Sequence, residues 1–290
     1  MLSLLVPILW DSESTDLRTG LQTQDKNLKR RMNAAGGRVM NASNVVATLR
    51  TYNNEGVVKS VRRLLSLGVG MVNVITNAVE DCDSTAYWLK GFPKDQVQIH
   101  PIFRGYTWSN ALNAAIFAAN LQSARRVQEG LGRFEWLLNI SNEALLEPRH
   151  LEAMLLASES DERIMVVGTS FAGRKNGNPF DLGPSYRHPR NTCMLVSLTR
   201  SPFLFFDPYC DQIGGNEDLE YVLRVKAAGY EVIRLDLKVP LLIGVNYNQE
   251  AKESRELGAN CAIAERLRGT YLLGSLERER IEAVLAEMGL

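Results

Sequence analysis

A chain of 290 residues, 45% hydrophobic and 8% aromatic, can bury a large core as one α/β domain or two smaller ones. Its 33 basic and 33 acidic residues cancel, so no long-range field draws it to nucleic acid or an anionic membrane. Cys82, Cys193, Cys210 and Cys261 show no C-x-x-C spacing, which argues against a zinc site and for a reducing compartment, and His100, His150 and His188 share no helical spacing, which argues against a His-based metal cage.

The opening "MLSLLVPILW" is apolar but too short to span a bilayer, lacks a basic leader and meets no small-residue cleavage site, so neither a signal peptide nor a membrane helix is expected. Residues 1–43 read as a peripheral N-terminal extension whose basic run, "DKNLKRRMNAAGGR", is a solvated helix face. From Val45 short apolar β-prone runs alternate with amphipathic stretches. "VVATLR" predicts a strand, and "VVKSVRRLLSLG" a helix with Val57, Val58, Val61, Leu64 and Leu65 on one face. Then follow "MVNVIT" (strand), "STAYWLKGF" (helix), "VQIHPI" (strand), "SNALNAAIFAANLQSA" (helix) and "FEWLLNI" (strand). Repeated βα units imply right-handed crossovers and a mixed, mostly parallel sheet with helices on both faces.

Beyond Pro148, "RHLEAMLLAS" predicts a helix with His150 as a surface residue at its start, "RIMVVGTS" a strand, and Ala172 to Asn191 a long irregular loop. "NTCMLVSL" reads as a strand and "SPFLFFDPYCDQIGGN" as a connector. "EDLEYVLRVKAAGY" reads as a helix with acids in its first turn and Gly229 as its C-cap, and "EVIRLD" as a strand. Residues 246–290 form a helical tail after a domain spanning 44–245. Ligands of open α/β sheets bind outside the carboxyl ends of the strands, which singles out "TYNNEG", "TNAVEDCD", "RGYTWSN", "NISNEALLEP" and the approach to Glu217-Asp218.

The order "TLRTYNNEGVVKSVRRLLSLG", "VNVITNAVEDCDST", "GYTWSNALNAAIFAA", "WLLNISNEALLEPRHLEAML", "GGNEDLEYVLRVKAAGYEVIRLD" resembles the family 2 glycosyltransferases of the GT-A fold, over about Val45 to Asp236. The resemblance implies transfer of a sugar from a nucleotide-sugar donor to an acceptor hydroxyl of a glycan, lipid or small molecule, with inversion. It also implies a cytoplasmic location, free or peripherally associated with the inner face of the membrane.

On that resemblance Thr51, Tyr52 and Asn53 line the donor pocket, although they also read as an ordinary β-to-α turn. Asn77 stands where the family carries acids that meet the nucleobase, and its amide can still bond a base edge. The Asp-x-Asp motif falls on Ser141-Asn142-Glu143 in degenerate form, leaving Glu143 as the ligand for magnesium or manganese and Ser141 beside the donor. The same residues read as a capped turn with an acid near a helix start. No histidine follows His188, so the family's late metal ligand is missing and Asn246 or another oxygen donor would replace it.

Asp218 is the implied base, paired with Glu217 at a helix N-terminus that favours ionised carboxylates. Asn110 and Asn113 sit one turn apart and could both meet sugar hydroxyls, while Trp108 either stacks on a sugar face or is buried at the helix start. Arg224, six residues after Asp218, lies too far round the helix to pair with it. G-x-G-x-x-G, P-loop and G-x-S-x-G motifs are missing, as is the processive Q-x-x-R-W. The rival reading is a catalytically weak homologue that binds a nucleotide or glycan.

Overall fold

The computed structural model describes residues 42–51, 55–77, 84–102, 107–175, 178–181, 188–200, 205–213, 215–241, 259–268 and 275–288. After a short 3₁₀ turn, Ala42–Asn44, strand β1 (Val45–Thr51) is buried along its whole length. Helix α1 (Val57–Ser66) buries Val57, Val61 and Leu64, the core-facing part of the expected stripe. Next come β2 (Met71–Asn77), α2 (Thr85–Leu89), β3 (Val97–Ile102), α3 (Trp108–Gln128) and β4 (Trp136–Ser141). Thr107 caps α3 by accepting the Asn110 N–H at 3.3 Å.

Helix α4 (Pro148–Ser158) opens with Pro148 and a reciprocal cap in which the Glu147 N–H donates to His150 Nδ1 at 3.0 Å. His150 starts the helix as expected, but it is fully buried, because that cap turns the imidazole inward. Burial pushes its proton affinity down.

Strand β5 (Ile164–Lys175) runs further than expected and folds back on β6 (Asn178–Asp181), pairing Ala172 with Asp181 and Lys175 with Asn178. The start of the expected irregular loop is therefore a hairpin; residues 182–187 lie outside the described residues. After β7 (Cys193–Ser197) come the short α5 (Tyr209–Gln212), α6 (Glu217–Ala227) and β8 (Glu231–Leu241). Gly229 follows the end of α6 at φ +88°.

The strand order is β3-β2-β1-β4-β7-β5-β6, with β8 on the other edge of β5. The β3-β2-β1-β4 half is parallel, β7 runs antiparallel to both neighbours, and β8 is parallel to β5. The mixed, mostly parallel α/β sheet expected from the sequence is the one observed. One sheet face packs Val46, Leu137 and Met194 against Ala115 and Ile116 of α3 and Tyr221 and Val225 of α6. Helix α7 (259–268) and helix α8 (Ser275–Met288) close over α6, where Ile263, Leu267, Ile281 and Leu285 meet Leu219 and Leu223. Residues Met40–Leu290 form one compact unit. Among the described residues no helix is long and apolar enough to cross a membrane.

Candidate active site

The parallel register of β1 and β4 sets Arg50 beside Ser141 at the carboxyl ends of both strands. Alternation along a strand turns Thr48 and Arg50 to the face covered by α3 and α6 and turns Thr51 to the other. Thr51 is buried and Cα-paired with Thr76; among the described residues neither its hydroxyl nor that of Ser141 has a hydrogen-bond partner. Tyr52 and Asn53 lie outside the described residues. Asn77 ends β2, half-buried and opposite Ile102 of β3.

The chain leaves β4 through a turn in which the Ala144 N–H donates to the Ser141 carbonyl at 3.1 Å, while the Ser60 hydroxyl donates to the Asn142 carbonyl at 3.2 Å. The turn is tied to α1 and to β8, where the Leu145 N–H meets the Pro240 carbonyl at 2.8 Å. Glu143 stands exposed at its crest.

The head of α6 faces this edge. Gly215 at φ +119° and Asn216 at φ 66° turn the chain sharply, so Glu217 and Asp218 enter the helix already buried. Asn216 is held by its amide, which donates to Asn260 Oδ1 of α7 at 2.6 Å. The segment before β7 supplies the partners. His188 Nε2 lies 3.3 Å from Asp218 Oδ1, and Arg190 Nε lies 3.1 Å from Asp218 Oδ2. The Asn191 N–H donates to Asp218 Oδ2 at 3.3 Å, and the Leu219 N–H to Asp218 Oδ1 at 2.9 Å. Asn191 Nδ2 donates to Glu217 Oε1 at 3.2 Å. Arg50 Nη2 donates to the Asn191 carbonyl at 3.3 Å, and its guanidinium lies 4.4 Å from the centre of the Trp108 ring.

Adjacent acids in one buried site are driven apart in proton affinity. Burial alone would push Asp218 up, but Arg190, the bond from His188 and the Asn191 N–H outweigh it and hold the carboxyl well below its usual range. For Glu217 burial dominates and the neighbouring Asp218 charge adds to it; Arg50 and the Asn191 amide oppose them without prevailing, so its proton affinity is raised. One carboxylate is thus held as an anion with both oxygens engaged, and the other has its proton affinity raised.

The remaining expected residues sort differently. Asn113 is spent on structure: Nδ2 donates to the Phe206 carbonyl at 2.9 Å and Oδ1 accepts the Phe206 N–H at 2.7 Å. Phe206 in turn stacks on Tyr221 of α6 at 4.3 Å, so Asn113 ties α3 to the packing of α6. Asn110 is exposed on the first turn of α3, where its N–H is taken by the Thr107 cap. Trp108 is 55% exposed, which removes the buried reading, because the ring lies over Arg50 at the site edge instead of in the core. Arg224 pairs with Glu220 one turn back and with the Phe205 carbonyl, away from Asp218.

Sequence reasoning missed Arg50, His188, Arg190 and Asn191. Two signals were present: a lone arginine ending the apolar strand "VVATLR", and "HPRN" immediately before a strand. Gly168 of β5 makes the second possible, since a Cβ there would lie 2.3 Å from Pro189 Cβ; only glycine lets the His188–Arg190 segment approach so closely.

No family model matches the sequence, and no curated protein matches it. Among solved structures, the mannosyltransferase PcManGT from Pyrobaculum calidifontis, in complex with GDP-Man and Mn2+, superposes with a TM-score of 0.54 at 11% identity, covering 94% of this chain and 86% of that one. A 4-diphosphocytidyl-2C-methyl-D-erythritol synthase from Anaerococcus prevotii gives a TM-score of 0.40 at 7% identity, covering 78% and 99%, too slight a likeness to build on. At 11% identity the first likeness speaks for the fold, and that fold is the GT-A-like α/β architecture expected from the sequence.

Proposed function

We propose that this protein is a glycosyltransferase that moves a sugar from a nucleotide-sugar donor to an acceptor hydroxyl with inversion at the anomeric carbon. The observation that carries this reading is the buried Glu217-Asp218 pair, held at the head of α6 against the carboxyl end of β1 through Asn191 and Arg50. The GDP-Man of the mannosyltransferase that shares the fold supports a nucleotide-sugar as the donor.

In the proposed step the acceptor hydroxyl gives its proton to a carboxylate, its oxygen bonds to the anomeric carbon, and the bond from that carbon to the phosphate oxygen breaks. The leaving nucleoside diphosphate departs with the electron pair. The resemblance implies Asp218 as the base. The packing supports a division of labour in which Glu217 accepts the proton and Asp218 anchors His188 and Arg190. A general base needs a free oxygen, and both Asp218 oxygens already accept from close donors.

A divalent cation, magnesium or manganese, is supported by the Mn2+ of the same complex. Glu143 is the carboxylate assigned to it, with the Ser141 hydroxyl alongside; when bound, the ion would neutralise charge on the diphosphate. Among the described residues no three His, Cys, Asp or Glu side chains gather to hold a metal, so donor and water oxygens would fill most of its positions.

The test is a thermal-shift screen of UDP-, GDP- and dTDP-sugars with and without manganese, followed by product analysis with the ligand that raises the melting temperature. Stabilisation with transfer to an added acceptor supports the enzyme. Stabilisation without transfer favours a binding module, and no stabilisation by any nucleotide-sugar removes the reading.

A further inference from the structure

We infer that Asn191 is the positioning residue of the base: its side-chain amide holds Glu217 Oε1, so that Oε2, on the side of Gly215, is the atom that takes the proton of the acceptor hydroxyl. The inference rests on the glycosyltransferase reading above, with Glu217 as the base. As the O–H bond breaks, its proton passes to Oε2 and the acceptor oxygen bonds to the anomeric carbon, while the nucleoside diphosphate leaves with the electron pair.

Asn191 meets three ionisable residues through three different groups. Its N–H donates to Asp218 Oδ2 at 3.3 Å, its carbonyl accepts from Arg50 Nη2 at 3.3 Å, and its Nδ2 donates to Glu217 Oε1 at 3.2 Å. The first two contacts are made by the backbone, so only the third depends on the side chain being an amide. That backbone is held on both sides. The Thr192 carbonyl accepts the Ser141 N–H of β4 at 2.9 Å, and Pro189 packs against Gly168 of β5. Asn191 is itself buried, so its amide reaches Glu217 from a fixed base. A catalytic group fixed in this way does not have to be oriented at the moment of reaction.

The two acids receive different kinds of partner. Asp218 is held by the guanidinium of Arg190 and the imidazole of His188, whereas Glu217 is held by a neutral amide. A neutral donor binds a carboxylate less strongly than a charged one, so it orients Glu217 without fixing it as an anion. The other ionisable groups facing Glu217 among the described residues are Asp218 on its own helix, Arg50 on β1 and Cys210 on α5, with His188 and Arg190 behind Asp218. Burial, followed by Glu220 and Glu217, pushes the Cys210 thiol up, so it stays neutral while Glu217 titrates.

The second oxygen has room beside it. Gly215 lies at φ +119°, and a Cβ there would have Glu217 Oε2, at 3.9 Å, as its one neighbour within 4 Å among the described residues beyond the adjoining ones. A side chain at this position would stand against Oε2; glycine leaves that side open to the acceptor.

NMR titration of the full chain carrying isotope-labelled glutamate carboxyls tests the inference, with Glu217→Gln identifying the resonance. Glu217 should titrate at higher pH in Asn191→Ala than in the native protein, because the donor that favours its ionised form is gone. Asn191→Leu supplies the independent variant: it restores most of the lost volume but no donor, so it should shift the titration in the same direction, whereas a side chain needed only for packing would be replaced by it. Release of UDP, GDP or dTDP from the nucleotide-sugars of the screen, with water or an added acceptor, gives the kinetic readout. In both variants kcat should fall about 10-fold or more and its rising limb should move to higher pH, with KM for the donor within about twofold of native. The inference alone is overturned if Glu217→Gln abolishes release while Asn191→Ala and Asn191→Leu keep the native kcat and the native Glu217 titration. If Glu217→Gln releases nucleoside diphosphate at the native rate, or the native protein releases it from none of these donors, the reading with Glu217 as base fails and the inference fails with it.

Discussion

The Arg190 guanidinium lies 3.1 Å from the Asp218 carboxylate, and both groups are largely withdrawn from solvent. Removing one partner of a buried pair leaves the other uncompensated, at a cost of about 3 kcal/mol or more. Asp218→Asn should therefore lower the free energy of unfolding by about that amount in urea melts at pH 7. Because the folded-state pKa of Asp218 is depressed, its contribution is present above the ordinary carboxylate value of about 4 and is lost as pH falls further. The deficit of the variant should shrink in acid. A variant as stable as the native protein at pH 7 would show that the pair contributes nothing.

Glu217→Gln should behave in the opposite way. The folded-state pKa of Glu217 is raised, so its ionised form opposes folding; the penalty sets in above the ordinary glutamate pKa and is complete above the folded value. The amide removes that penalty while still accepting from Asn191, so the melting temperature should rise at neutral pH and match the native value in acid. Transfer should fall by about 10² or more, the scale of a general base, with donor binding retained. Full turnover in Glu217→Gln, with loss confined to Asp218→Asn, would return the base to Asp218.

Gly168→Ala places a methyl group 2.3 Å from Pro189 Cβ, so β5 or the His188–Arg190 segment must shift. Overpacking of this kind costs about 1–3 kcal/mol. Transfer should drop even under conditions where the fold is intact, because Asp218 loses the geometry of its partners His188 and Arg190. Thermal melts combined with single-turnover rates separate the two effects; a native rate would mean that the segment tolerates displacement.

Asn113→Ala removes both bonds to the Phe206 backbone and leaves a buried N–H and carbonyl unpaired, a loss of about 2 kcal/mol. Its effect should appear in stability and, through the Phe206–Tyr221 stack, in the placement of α6. The dissociation constant for nucleoside diphosphate should stay within a factor of about two. A large change in nucleotide affinity at unchanged stability would support Asn113 in the donor pocket.

Glu143→Ala should weaken the manganese-dependent part of donor binding more than Ser141→Ala does, since a neutral hydroxyl offers a divalent ion no counter-charge. Equal effects in paired titrations with and without manganese would remove Glu143 as the ligand.

What was legible in the sequence is what local pattern encodes. Period-2 and period-3.6 hydrophobicity marked strands such as Val45–Thr51 and helices such as Val57–Ser66, and acids after "IGGN" marked the head of α6. What pattern does not carry is which distant segments meet. Arg50 and Asn191 are 141 positions apart, and His188 and Asp218 are 30 apart, so no spacing rule joins them. The antiparallel insertion of β7 between β4 and β5 delivers His188, Arg190 and Asn191 to the carboxyl ends of the parallel strands, and strand direction leaves no mark on side-chain alternation. Asn113 and His150 show the same division: their positions at the starts of helices were visible in the sequence, but only packing decided that one amide serves the backbone of Phe206 and that one imidazole is buried in its own cap. Glu217 and Asp218 are chemically alike and adjacent, and the tertiary field separates them, because burial raises one proton affinity while Arg190 and His188 lower the other.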